Sequence, residues 1–203
     1  MTEICSLEAL RCVYEPAGEI ALKKELDHVD RHARDFIGAS PFVVLSTCDA
    51  DGWPDASPRG DAAGFVTVVD TKRLHLPDRP GNNRLDTLEN ILRNPRIGLL
   101  FLVPGRLETL RVNGRARLLT DPQLLAQHAI RGKAARSIVE IEATNVYFQC
   151  GKAVVRSGLW QKERWPSIEG LATFAEALTD QVKSVDKAAV EQRLEVSYRD
   201  KLY

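Results

Sequence analysis

The sequence predicts a mainly β protein, a small antiparallel barrel with helices at its ends and between some strands. Three observations predict it. About six strand-like segments lie along the middle of the chain, many of them consecutive. Short turns join them, which favours antiparallel neighbours over a parallel sheet with helical crossovers. No G-x-G-x-x-G or G-x-x-x-x-G-K-[ST] run occurs, so neither a dinucleotide-binding βαβ unit nor a P-loop is expected.

The elements follow in order. Residues 19–37 read as one amphipathic helix, with Ile20, Leu22, Leu26, Val29, Ala33, Phe36 and Ile37 near helical spacing. Gly38 and Pro41 then stop the helix and turn the chain. Phe42–Thr47 is a buried-strand pattern, and Asp49-Ala50-Asp51-Gly52 a turn. Residues 53–60 form a second extended segment. Phe65–Val69 and Arg73–Leu76 follow as strands around Asp70-Thr71-Lys72. Leu85–Leu92 is a short helix ended by Asn94-Pro95. The apolar strand Arg96–Val103 turns at Pro104-Gly105, and Glu108–Leu119 runs back. Asp121 is a suitable N-cap with Pro122 in the first turn. Arg136–Phe148 is the last long strand. Lys152–Trp160 and residues 171–194 read as helices. The division is thus a helical segment over 1–40, a barrel domain over 41–160 and a helical extension over 161–203.

Composition bounds the partners. Across 203 residues, 28 basic side chains balance 28 acidic ones, so no global positive field exists to hold nucleic acid. Any anion site must be local. No apolar run has the length of a membrane span, and the N-terminus lacks a signal-peptide pattern, so no membrane association and a cytoplasmic location are expected. Cys5, Cys12, Cys48 and Cys150 show no Cys-x-x-Cys spacing and are expected as thiols. His28 and His32, four apart, would share a helix face without a third ligand, and no metal site is expected.

Three clusters carry candidate chemistry. Leu76-Pro77-Asp78-Arg79-Pro80-Gly81-Asn82-Asn83-Arg84 follows a strand and opens a helix. Two guanidiniums, two amide side chains and helix N-terminal amides suit a phosphate; the other reading is a capped polar connection. In Ser57-Pro58-Arg59-Gly60-Asp61, Pro58 removes a ladder donor and Gly60 permits close approach, so the segment reads as a ligand wall or as an exposed turn. In Cys150–Trp160, Lys152 and Arg156 stand four apart. On a helix their repulsion would be offset by an anion or an electron-rich ring, or simply solvated.

The order of these clusters resembles the pyridoxamine 5′-phosphate oxidase-like superfamily of FMN-binding split barrels. Gly81–Phe101 is similar to the family's phosphate loop, helix, Asn-Pro-Arg turn and apolar strand. Leu110-Arg111-Val112-Asn113-Gly114-Arg115-Ala116 continues the likeness, which covers about residues 40–160. Ser57–Asp61 and Arg156–Trp160 match two motifs of a bacterial subgroup of FMN-dependent proteins. The resemblance implies a six-stranded antiparallel split β-barrel that works as a homodimer, with one FMN per subunit at the interface. It places Arg79, Asn82, Asn83 and Arg84 around the FMN phosphate. Ser57, Pro58, Arg59 and Gly60 would run beside the ring and ribityl chain, and Thr109 near the ring's polar edge. Lys152, Arg156 and Ser157 would approach from the second subunit.

The implied activity is that of an FMN-dependent oxidoreductase acting on a small molecule, with a reduced nicotinamide, NAD(P)H, as donor. The flavin would carry the electrons, and Arg59, Lys152 or Arg156 would favour its reduced anionic form. Oxidation of vitamin B6 is not implied. The family's basic strand motif is replaced by Ala56–Asp61, and its terminal Arg-x-His is absent from Leu194–Tyr203. Cys150 is the one candidate nucleophile. Alternatives are a flavin sensor or store without turnover, and the same barrel holding haem or a deazaflavin. His75 and His128 are the candidate haem ligands within the barrel.

Overall fold

The computed structural model describes residues 3–203. Its centre is one antiparallel sheet built from β1 (Phe42–Cys48), β2 (Pro54–Gly60), β3 (Thr67–Val68), β4 (Arg73–Asp78), β5 (Arg96–Leu102), β6 (Thr109–Leu119) and β7 (Ser137–Gln149). Their spatial order is β2-β1-β5-β6-β7-β4-β3. The mainly β architecture expected from the sequence is therefore present, but with seven strands rather than six. The sheet is also unclosed, with β2 and β3 as its edges.

Alternation along the strands decides which side is dry. Val43 and Leu45 of β1, Ile97, Leu99 and Phe101 of β5, and Leu110 and Val112 of β6 point into one core. Leu74 and Leu76 of β4 and Val139, Ile141, Ala143 and Val146 of β7 complete it. Each fully buried aliphatic side chain of this set contributes about 1.5–3 kcal/mol. The alternate residues of β1, β5 and β6, among them Val44, Leu100, Arg111 and Asn113, lie half-buried on the opposite face.

The helices close the core. α3 (Arg31–Ala39) lays Ala33, Phe36 and Ile37 on it, and Phe36 meets Phe148 edge-on with ring centroids 5.3 Å apart. α4 (Asp86–Arg93) is pinned from its inner face. Asn90 Nδ2 donates to Thr47 Oγ1 at 3.1 Å, and Thr87 Oγ1 donates to Asp55 Oδ2 at 3.1 Å. α5 (Pro122–Gln127) has the expected Asp121 cap, whose carboxylate accepts from the Leu124 amide.

Three helical predictions are revised. The helix expected over 19–37 is broken into α2 (Glu19–Lys23) and α3. Between them Leu26 forms a backbone bridge to Val146, and Asp30 caps a fresh helix through the Ala33 amide. His28 falls in this break and pairs with Asp27, so His28 and His32 do not share a helix face. The helix expected over 171–194 is two, α7 (Phe174–Gln181), opened by a Thr173–Glu176 capping box, and α8 (Lys187–Asp200), capped by Asp186. α6 (Lys152–Ser157) ends earlier than expected because Gly158 turns left-handed at φ 62°. A short helix, α1 (Leu7–Arg11), lies within the helical segment expected over 1–40 but before the helix read over 19–37.

The longest ladder, β6 with β7, shifts register at Asn113/Gly114. Such a bulge bends the strand and sharpens its twist. A Cβ on Gly114 would stand 2.1 Å from the Glu142 carbonyl oxygen, a backbone atom that cannot step aside. Gly114→Ala is therefore expected to cost about 3 kcal/mol, the upper range for overpacking. Thermal unfolding should show Tm lowered by roughly 6–12 °C.

Candidate functional site

A cleft of about 690 Å³ opens between the two ends of the curled sheet. One wall is edge strand β2, with Ser57, Pro58, Arg59 and Gly60; the other is the end of β4, with Pro77 and Asp78. Arg79, Gly81, Asn82, Asn83 and Arg84 form its rim, and the first turn of α4 its end. The structure thus brings together both early clusters predicted from the sequence. The volume lies within the usual range for small-molecule sites.

Each arginine here is held by a neighbour. Arg59 donates to Ser57 Oγ and to the Pro58 carbonyl, the latter at 2.9 Å. Arg79 donates through Nε to Asp61 Oδ2 at 3.2 Å and through Nη1 to the His128 carbonyl at 2.8 Å. Arg84 pairs with Asp86, and its side chain is otherwise exposed. The loop itself is fixed by Asn82, whose side chain accepts from the Arg84 amide at 2.9 Å, and by Asn83 in the left-handed region at φ 59°. Asparagine tolerates that conformation better than most residues. Among the described residues the amides of Gly81, Asn82 and Asn83 donate to no acceptor within the chain. They are free for an outside anion.

Two cleft residues escaped the sequence reading. Arg136 donates to Asn83 Oδ1 at 2.8 Å and lines the cleft as a fourth arginine. It arrives there because β4 pairs with β7, and the Arg136 amide bonds the Asp78 carbonyl at 3.2 Å. No local sequence pattern announces that register. Asp78 was quoted within the loop motif without a role. Burial pushes its carboxyl above the ordinary range, while Arg59, Arg136 and Arg79 pull it back only in part.

The remaining predicted site residues lie elsewhere in the same chain. Thr109 begins β6, half-buried, 3.4 Å from Gln149 Oε1. Lys152, Arg156 and Ser157 are exposed on α6, and Ser157 Oγ bonds the Val154 carbonyl. None of the four lines the cleft. Cys150 is an exposed free thiol just before α6, and all four cysteines are free.

His75 lies on β4 and His128 just after α5. Their ring centroids are 5.9 Å apart. His75 Nε2 lies 3.0 Å from the buried Glu140, which also accepts from Arg117 at 2.6 Å. Burial raises the Glu140 pKa, but the His75 and Arg117 contacts outweigh it and the net shift is downward. Burial pushes His128 below its ordinary range, with His75 and Arg79 nearby acting in the same direction. Neither ring faces the cleft. No cluster of potential metal ligands occurs among the described residues, and no described helix is long and apolar enough to cross a membrane.

Comparison with known proteins bears on this arrangement. The family model described as pyridoxamine 5′-phosphate oxidase matches residues 29–150, more than half of the chain. The HupZ protein of Group A Streptococcus is 20% identical, with 60% of this chain and 94% of HupZ covered and a TM-score of 0.51. A single-substitution form of HupZ gives 20% identity, 60% and 99% coverage and a TM-score of 0.50. A Clostridium acetobutylicum protein related to general stress protein 26 is 15% identical, covering 59% of this chain and 86% of that one, with a TM-score of 0.46. No curated protein matches the chain. At these identities the likeness concerns the fold.

The raised Asp78 carboxyl makes a prediction about stability. A carboxyl whose folded pKa lies above its unfolded value binds protons more tightly when folded, so it loses stability as pH rises through the folded pKa. Asp78→Asn should therefore match the parent at low pH and gain in Tm relative to it as pH rises past the ordinary carboxylate range. Paired thermal melts from pH 4 to pH 8 check this. A variant that loses stability relative to the parent over that range would contradict it.

Proposed function

The chain belongs to the pyridoxamine 5′-phosphate oxidase family, and we propose that it is an FMN-dependent oxidoreductase of a small organic molecule, acting as a homodimer. The observation that carries this reading is the arginine-rimmed loop with unused amides. Arg79, Arg84 and Arg136, with the free amides of Gly81, Asn82 and Asn83, form the donor set that a phosphate monoester dianion requires.

Each residue has a part. The amides and guanidiniums would hold the phosphate. Ser57, Pro58 and Gly60 offer a narrow wall along which the ribityl chain and ring would lie, with Arg59 fixed by Ser57 at the ring's flank. A bound flavin supplies hydride and electron transfer; the protein supplies its position and charge environment. Thr109, Lys152, Arg156 and Ser157 lie away from the chain's own cleft, as residues contributed to a partner's site would. The half-buried outer face of β1 and β5, with Phe42 40% exposed and Val44 and Leu100 beside it, supports a dimer seam on that side. The two histidines are spent on Glu140 and on each other, which favours flavin over haem.

The absorbance spectrum of protein purified without added cofactor tests the reading. The two visible flavin bands are expected; a Soret band or a single deazaflavin band would replace FMN. NAD(P)H oxidation above the rate of free FMN would separate an enzyme from a flavin store. Arg84 is exposed, so Arg84→Ala should leave stability within about 0.5 kcal/mol of the parent, as surface substitutions do. It should remove a charge-assisted contact worth about 1.5–3 kcal/mol. FMN affinity then falls about tenfold or more in a fluorescence titration. Unchanged affinity would remove Arg84 from the site.

A further inference from the structure

The end of the described chain returns to the cleft. α7 and α8 pack on one another, joined by Lys187 Nζ to Glu176 Oε1 at 2.7 Å. Beyond α8, Tyr203 reaches back across the barrel and donates its hydroxyl to Asp61 Oδ1 at 2.7 Å. The Arg131 guanidinium lies 5.2 Å over the Tyr203 ring, and Lys133 Nζ donates to the Tyr203 backbone oxygen at 2.6 Å. Three contacts from two loops seat one residue, two of them on its side chain and one on its backbone.

Asp61 is the hub of that seat. Its side chain is 2% exposed. Oδ1 accepts from Tyr203 and from the Ala62 amide at 2.8 Å, and Oδ2 accepts from Arg79 Nε at 3.2 Å. A buried carboxylate needs its donors, and losing one is costly. Its hydrogen bond with Asp61, with burial second, holds the Tyr203 phenol above its ordinary pKa, so the hydroxyl stays a donor. Arg79 in turn is set between Asp61 and the His128 carbonyl while it lines the cleft, and its Nη2 has no partner among the described residues.

We propose that the C-terminal segment is a strap and Tyr203 a positioning residue: by docking on Asp61 it sets Arg79 to receive the phosphate group of the cleft's ligand. This rests on the reading that the cleft takes a phosphate ester. Two effects act in the same direction. Without the hydroxyl, the carboxylate loses an anchor that fixes its plane. Its charge is then shared with one fewer donor and draws Arg79 more strongly away from the cleft. By linkage, a phosphate ligand that prefers the set arginine must also favour the docked strap.

The test uses the full chain and Tyr203→Phe, which keeps the ring on Arg131 and removes only the hydroxyl. FMN affinity should fall about fivefold or more in the variant, the lower range for coupled sites. Tryptic cleavage after Lys201 reads undocking of the strap directly. FMN should slow that cut in the parent and have no effect on it in Tyr203→Phe. Equal FMN affinity in the two proteins, or equal protection of Lys201, overturns the strap. If the parent binds no FMN, the flavin reading fails and inorganic phosphate serves as the probe. Protection of Lys201 by phosphate in the parent alone then sustains the strap, and its absence overturns it.

Discussion

The ladder between β6 and β7 is the constraint on which the other parts depend. It is the longest pairing in the sheet, and at Gly114 the two backbones approach too closely for any side chain. The bulge turns an otherwise flat sheet into a curled one. Curling is what brings β2, at one edge, round to face β4, next to the other edge. Neither strand pairs with the other. The space left between them is the cleft. The site is thus a consequence of incomplete closure, since a barrel sealed between β2 and β4 would have no such opening.

Polar residues tolerate that opening because the local chemistry suits an edge. Pro58 has no N–H to leave unpaired on β2. Ser57 and Arg59 satisfy one another on the inner face. Asp61, the first residue past β2, has a side chain only 2% exposed and carries one arginine of the rim. The loop after β4 is braced by Asn82 and Asn83 within itself and by Arg136 from β7. α4 is tied to β1 and β2 by Asn90 and Thr87. Arginine geometry is therefore set before any ligand arrives, which lowers the ordering cost of binding.

Legibility in the sequence followed the range of the interaction. The Asp121 cap, the helix before Asn94-Pro95 and the apolar strand after it were readable because their causes lie within a few residues. The loop from Arg79 to Arg84 was readable for the same reason: its Asx turn and left-handed asparagine are local. Arg136 was not, because only the β4–β7 register places it beside Asn83. The break between α2 and α3 was hidden as well. Leu26 and Val29 keep helical spacing, yet Leu26 is claimed by a bridge to Val146 and Val29 bonds the Thr71 carbonyl. Tertiary pairing overrode an adequate helical pattern. The edge strand was readable over Phe65–Val69, but only Thr67 and Val68 of that run pair with β4.

One asymmetry of charge remains to be accounted for. The cleft holds four arginines, three of them engaged by carboxylates or an amide oxygen, while Lys152 and Arg156 stand solvated on α6 with no acid opposite them among the described residues. Like charges one helical turn apart repel, and nothing among the described residues offsets that. A negatively charged ligand held by another copy would. In the proposed dimer that seam would also cover the outer face of β1 and β5, where Phe42, Val44 and Leu100 are half-bare. The cleft and α6 would then be two halves of one site, with the two-fold seam passing between them.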